Sequence, residues 1–135
     1  MKILAFAASS STKSINKKLV TYAASLLDNC TVEIADLNDY EIPLFSVDKE
    51  AQLGHPELAQ AFMSKISDAD ALIISFAEHN GSYTAAYKNL FDWCSRIDAK
   101  VYKDKPMLLL STSPGAGGAN TVLSAAINSI PHFGG

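Results

Sequence analysis

The chain has 135 residues, the size of one domain with a core of its own, and 48% apolar against 19% charged residues, which excludes the composition of a disordered chain. Eleven basic and fourteen acidic side chains leave a net charge of −3. No stretch clusters Lys and Arg with interleaved aromatics, so nucleic acid and anionic membrane are disfavoured partners. Cys30 and Cys94 are too few and too far apart for a zinc site or a disulfide framework, and no apolar run approaches the ~20 residues that span a bilayer.

Ile3 to Ala8 is a short apolar run ending in Ser and Thr, as a strand buried on both faces would be. It has little of the basic leader of a signal peptide and runs straight into polar Ser9 to Ser14, so a buried strand is the better reading, which implies a cytoplasmic protein. From Ile15 the positions Leu19, Tyr22, Ala23, Leu26 and Leu27 recur at helical spacing and predict an inward stripe. Thr31 to Leu37 reads as a second strand with Val32, Ile34 and Ala35 inside. Asn38 to Pro56 holds Pro43, Gly54 and Pro56 without either period and reads as a long connection.

Glu57 to Ser67 returns to helical spacing through Leu58, Ala61, Phe62 and Ile66, and Ala71 to Ala77 is a second buried strand pattern. Tyr83 to Ile97 is the most regular helix, with Tyr83, Ala86, Tyr87, Leu90, Cys94 and Ile97 on one stripe. Met107 to Leu110 is a fourth strand, Ser111 to Gly118 a Gly-rich turn, and Ala119 to Ile130 a last helix. Strands alternating with helices predict right-handed crossovers and a single α/β domain over residues 1–135, its parallel sheet covered on both faces. Such sheets usually carry one more strand, so a further strand and helix are expected beyond Gly134-Gly135, with a four-stranded domain as the alternative.

In an open parallel sheet, ligands bind beyond the carboxyl ends of the strands, where successive connections leave for opposite faces. Three loops lie there, all of small, hydroxylic or amide residues. Ser9 to Asn16 joins strand to helix and holds five hydroxyls in the six residues Ser9 to Ser14, more than capping alone requires. With the free N–H groups of a helix N-terminus, Ser9, Ser11 and Ser14 fit a phosphate cradle. No Walker A pattern is present. Glu78-His79-Asn80-Gly81-Ser82 contains a strong Asn-Gly turn signal, where the Gly lets a flat ring approach the backbone; as an ordinary turn it would place Ser82 as the cap of the next helix. Ser111 to Gly118 follows a late strand and has Asn120 where a dinucleotide fingerprint needs Gly, so a flexible backbone wall fits it better. His55 and His132 have no partner at ligand spacing, no metal site follows, and no nucleophile elbow supports hydrolysis.

These loops resemble those of the NADPH-dependent FMN reductase family, flavodoxin-like proteins whose first loop reads roughly G-S-x-R-x-x-S-x-N; here it is Ala8-Ser9-Ser10-Ser11-Thr12-Lys13-Ser14-Ile15-Asn16. The family's P-E-Y-N-G-S loop and K-N-x-x-D-W helix are similar to Ala77-Glu78-His79-Asn80-Gly81-Ser82 and Lys88-Asn89-Leu90-Phe91-Asp92-Trp93. Its S-x-S-P-G-x-x-G-G turn is similar to Ser111-Thr112-Ser113-Pro114-Gly115-Ala116-Gly117-Gly118. The resemblance implies a doubly wound flavodoxin-like sheet of order 2-1-3-4, with a fifth strand expected next. It implies that Ser9, Ser11, Ser14, Ile15 and Asn16 surround an FMN phosphate. Glu78, His79, Asn80, Gly81 and Ser82 would border the ring on one side, and Ser113, Pro114, Gly115 and Gly117 on the other. Ala8 replaces the family Gly, Ser11 the Arg and His79 the Tyr; losing the Arg bears on NADPH against NADH preference.

The implied activity is hydride transfer from NADPH or NADH through FMN to a small acceptor such as a quinone, azo dye, metal ion or free flavin. A flavodoxin-type FMN electron carrier without turnover and a non-catalytic flavodoxin-like binding protein remain the alternatives. A homodimer or homotetramer is expected, pairing through the Tyr83 to Ile97 helix, because Tyr83, Tyr87, Leu90, Phe91 and Trp93 cover more than one helix face.

Overall fold

A computed structural model describes residues 1–135. Four parallel strands, β1 (Lys2–Ala8), β2 (Thr31–Ala35), β3 (Ala71–Phe76) and β4 (Met107–Ser111), form one sheet in the order β2-β1-β3-β4. The helices are α1 (Ile15–Ser25), α2 (Val47–Leu53), α3 (Glu57–Asp68), α4 (Ala85–Ile97) and α5 (Asn120–Ser129), with 3-10 turns at Leu37–Tyr40 and Ile130–Phe133. This is a doubly wound, flavodoxin-like α/β fold, as expected.

Strand pleating sorts the core. Leu4, Phe6 and Ala8 of β1, with Leu72, Ile74 and Phe76 of β3, pack in one cluster with Phe62, Ile66, Leu90, Trp93, Val122 and Ala126 of α3, α4 and α5. The alternate residues Ile3, Ala5, Ala7 and Ile73 pack on Val20 of α1. The connection from β1 therefore leaves for one face and that from β3 for the other, which puts the switch point between these two strands.

Several sequence expectations need correction. The buried face of α1 is Asn16, Val20 and Ala24; Tyr22, Leu26 and Leu27 face solvent. The helix lies close over β1 and β3, where small and β-branched residues fit better than the longer apolar ones. In β2, Ile34 is exposed, because an edge strand has a neighbour on one side only. In α3, Leu58 and Ala61 face outward, and Ala59 and Met63 join Phe62 and Ile66 inside. The connection after β2 holds a 3-10 turn and α2, which buries no residue and is tied to α4 by a two-pronged Arg96–Glu50 pair at 2.8 and 2.9 Å. The sheet is not covered equally: three helices lie on one face and α1 alone on the other, so Leu108 of β4 is 48% exposed.

The aromatic residues of α4 are largely accommodated within the chain. Trp93 donates its Nε1–H to Pro43 O at 2.7 Å and packs edge-on against Phe45, while Asn89 accepts from Phe45 N–H and donates to the Ile42 and Pro43 carbonyls. Tyr87, Leu90 and Trp93 are thus buried without a second copy. Tyr83 and Phe91 remain half-buried, lining a groove of about 300 Å³ with Phe133.

Candidate functional site

The loops after β1, β3 and β4 meet at the switch point and enclose a cleft of about 350 Å³. Its walls are Ser9, Ser11, Ser14, Ile15 and Asn16 from the first loop, Glu78 and His79 from the second, and Ser113 and Pro114 from the third. Asn80, Gly81, Ser82, Gly115 and Gly117 stand outside this lining, and sequence reasoning missed Lys13, Ala77 and Thr112, which belong to it.

The first loop folds by hydroxyl-to-backbone contacts. Ser9 Oγ accepts from Ser11 N–H at 3.2 Å, Ser11 Oγ from Lys13 N–H at 3.3 Å, and Ser14 Oγ caps α1 by accepting from Lys17 N–H at 3.2 Å. Ser9 and Ser14 are only 7% and 9% exposed. Each hydroxyl accepts one bond, and its own hydrogen is directed to no acceptor of the chain. Helix geometry also frees the first-turn N–H groups of Ile15 and Asn16. Two buried O–H donors and a helix N-terminus thus converge on one space.

Asn16, 2% exposed, has a different role from its neighbours. Its Oδ1 accepts from Ser75 Oγ–H at 2.8 Å and from Thr112 N–H at 3.0 Å, while Nδ2 donates to Thr112 O at 3.1 Å. The side chain fastens the first loop to β3 and to the third loop, and its oxygen has no lone pair left to offer. Spacing alone could not distinguish this clamp from a ligand contact.

In the second loop, His79 and Ser82 exchange backbone bonds at 3.0 and 3.2 Å around Asn80 (φ 54°) and Gly81 (φ 76°). Two left-handed central residues make this the tight type I′ turn that Asn-Gly favours. Gly81 is needed for its backbone angle; a Cβ there would meet only Thr121 Cγ2, at 4.0 Å. The exposed His79 stands at the rim. Glu78 turns away to accept Val122 N–H at 2.7 Å, serving as cap for α5, whose own N-cap residue Ala119 (φ 61°) has no side-chain acceptor. Thr84, not Ser82, caps α4, accepting from Tyr87 N–H while its hydroxyl donates to Ala8 O at 2.9 Å. The signal for Thr84 was in the sequence: a hydroxyl residue just before the helical stripe. The third loop closes on itself through Ser111 Oγ–H donating to Gly118 O at 2.9 Å.

A cleft at the carboxyl ends of a doubly wound parallel sheet, with a helix N-terminus in its wall, places the chain among α/β domains whose ligands bind at the switch point. Residues 1–134 match the NADPH-dependent FMN reductase family, and the chain belongs to it. Members of this family use FMN with a reduced nicotinamide as electron donor. The chain is 36% identical over 118 residues to a 2-hydroxy-1,4-benzoquinone reductase of Burkholderia sp., covering 86% of this chain and 62% of that protein. It is 33% identical over 116 residues to an NAD(P)H-dependent FMN reductase of Pseudomonas aeruginosa, covering 85% and 61%. Among solved structures, the flavoenzyme NAD(P)H:(acceptor) oxidoreductase of Paracoccus denitrificans superposes with a TM-score of 0.81 at 27% identity, over 98% of this chain and 72% of that one. The chain thus spans about three fifths of the two relatives named first.

The donor set fits the phosphate end of FMN: two buried hydroxyls and free N–H groups suit an anion with several acceptor oxygens. No helix is long and apolar enough to cross a membrane, and no cluster of His, Cys, Asp and Glu has the makings of a metal site.

Proposed function

We propose that this chain is the FMN-binding part of an NAD(P)H-dependent oxidoreductase that reduces a small acceptor of the quinone, azo, metal-ion or free-flavin class. One observation carries it: the Ser9 and Ser14 hydroxyls are buried, face the cleft and have hydrogens with no acceptor in the chain. Bound FMN supplies a ring that takes hydride from the nicotinamide and passes electrons onward. The protein's part is to hold and orient. The first loop receives the phosphate, while the turn at His79 to Ser82 and the backbone of Ser113 to Gly117 flank the ring. The absence of a hydrolytic constellation agrees with a reaction whose chemistry resides in the cofactor.

Ser14→Asp tests the cradle. Asp caps a helix about as well as Ser, so the fold should hold. A carboxylate ~4 Å from a phosphate costs on the order of 4 kcal/mol at an effective dielectric of 20, or about a thousandfold in affinity. FMN titrated by flavin fluorescence should lose that much affinity while riboflavin, without the phosphate, binds parent and variant alike. Unchanged FMN affinity would remove the cradle assignment. Anaerobic mixing with FMN and NADPH separates an oxidoreductase, which bleaches the flavin, from an electron carrier or a flavin-free binding protein.

Pairing into a homodimer or homotetramer belongs to this reading. What supports it is the groove of Tyr83, Phe91 and Phe133 beside α4, apolar surface that a second copy would cover. Sedimentation at micromolar concentration showing only monomer would end it.

A further inference from the structure

We infer that Lys13 is the cationic partner of the flavin phosphate and the residue by which the cleft distinguishes a phosphorylated from an unphosphorylated flavin. This rests on the reading just proposed and adds a charge to it.

A phosphate monoester carries a charge of about −1.5 to −2 at neutral pH. The contacts assembled so far, two hydroxyls and free N–H groups, are neutral donors, and the chain's net charge of −3 gives no general attraction. Lys13 is the single Lys or Arg lining the cleft. The next basic residue, Lys17, is held by Asp36, whose carboxyl is kept below its usual range first by that hydrogen bond and then by the Asn38 N–H. Lys65, Lys88, Arg96, Lys100 and Lys103 are likewise in ion pairs. Lys13 is in none. Its backbone N–H donates to Ser11 Oγ, which fixes its Cα beside the cradle while the side chain remains free to turn toward an anion. Glu78, the one carboxylate in the lining, is engaged by Val122 N–H. The cleft therefore joins one uncommitted positive charge to two undirected buried hydroxyls, and each is what a bound phosphate would complete.

The test is a titration of FMN and riboflavin, followed by flavin fluorescence, into the parent chain and the variants Lys13→Gln, Lys13→Arg and Lys18→Gln, each at low and high salt. Lys18 is a control: exposed on α1, outside the cleft lining and free of ion pairs, it removes the same charge when substituted. Lys13→Gln should weaken FMN about tenfold, the scale of one charge-assisted contact at a partly exposed site. It should also flatten the salt dependence of FMN binding, with riboflavin unaffected. Lys13→Arg should retain FMN and Lys18→Gln should match the parent. Equal FMN affinity in Lys13→Gln and parent overturns the inference, as does an equal loss in Lys18→Gln, which would mean a diffuse field. If the parent itself binds FMN no better than riboflavin, the phosphate cradle fails and Lys13 with it, an outcome distinct from the failure of Lys13 alone.

Discussion

Asn16 Oδ1 accepts the Ser75 hydroxyl at 2.8 Å, joining the first turn of α1 to the middle of the sheet 59 residues later. The same oxygen accepts Thr112 N–H, so one amide holds the cleft's first and third walls together.

Asn16→Ala should therefore cost about 3 kcal/mol, because it leaves a buried hydroxyl and a half-buried N–H without their acceptor. Ser75→Ala, which leaves Asn16 with its Thr112 contacts, should cost about 1 kcal/mol. Urea unfolding midpoints check both values. A loss below ~1 kcal/mol for Asn16→Ala would show that the clamp contributes little.

Glu78→Ala should destabilise by about 1–2 kcal/mol, the range for losing a helix cap, since the N–H left without its acceptor belongs to the fully buried Val122. Glu78→Gln keeps an acceptor and should lose less. Hydrogen exchange at residues 120–123 should rise in the alanine variant before it rises elsewhere; a uniform rise would contradict a local cap.

Stability should fall above about pH 9. Burial pushes the Cys94 thiol up to about 12. Burial also raises both phenols of the hydrogen-bonded Tyr87–Tyr102 pair, and Tyr102 adds to the rise at Tyr87. In the unfolded chain these groups ionise near 8.5 and 10. As pH rises the unfolded state gives up protons first, so the stability present below the unfolded values is lost toward the folded ones, by up to ~1.4 kcal/mol per pH unit for each group. A urea midpoint flat to pH 10.5 would contradict this. A thiol reagent at pH 8 should likewise find the half-buried Cys30 in the folded protein and Cys94 only after unfolding.

Leu108→Lys should raise the soluble yield of the chain produced as residues 1–135, with stability changed by no more than ~0.5 kcal/mol. β4 pairs with β3 alone, and about half of Leu108 on this edge strand is exposed. Equal aggregation of parent and variant on concentration would mean that the edge is not the cause.

Element order was legible because the apolar runs at Ile3 to Ala8 and Ala71 to Phe76 and the 3.6-residue period of α4 are strong, whereas the sheet order followed only from the likeness of the loops to the family. The buried face of α1 was not. A helix pressed against strands packs Val20 and Ala24 and admits the polar Asn16, because Ser75 and Thr112 satisfy its amide. Those partners lie 59 and 96 residues away, beyond any local pattern. The loops of the cleft were recognisable from composition. The separate duties of Ser14, which leaves its hydrogen free, and Glu78, which caps a distant helix, needed three dimensions.

The cross-ties among the loops bear on the timing of ligand exchange. Asn16 fixes the first wall to the third, the Thr84 hydroxyl fixes the second connection to the end of β1, and Glu78 fixes it to α5. Each wall is thus tied to a neighbouring element, so a flavin bound as proposed would meet a rim largely held in place. Under the proposed reading its entry would be a single bimolecular event without an opening step, and a rate of FMN association that stays linear in flavin concentration is the outcome expected.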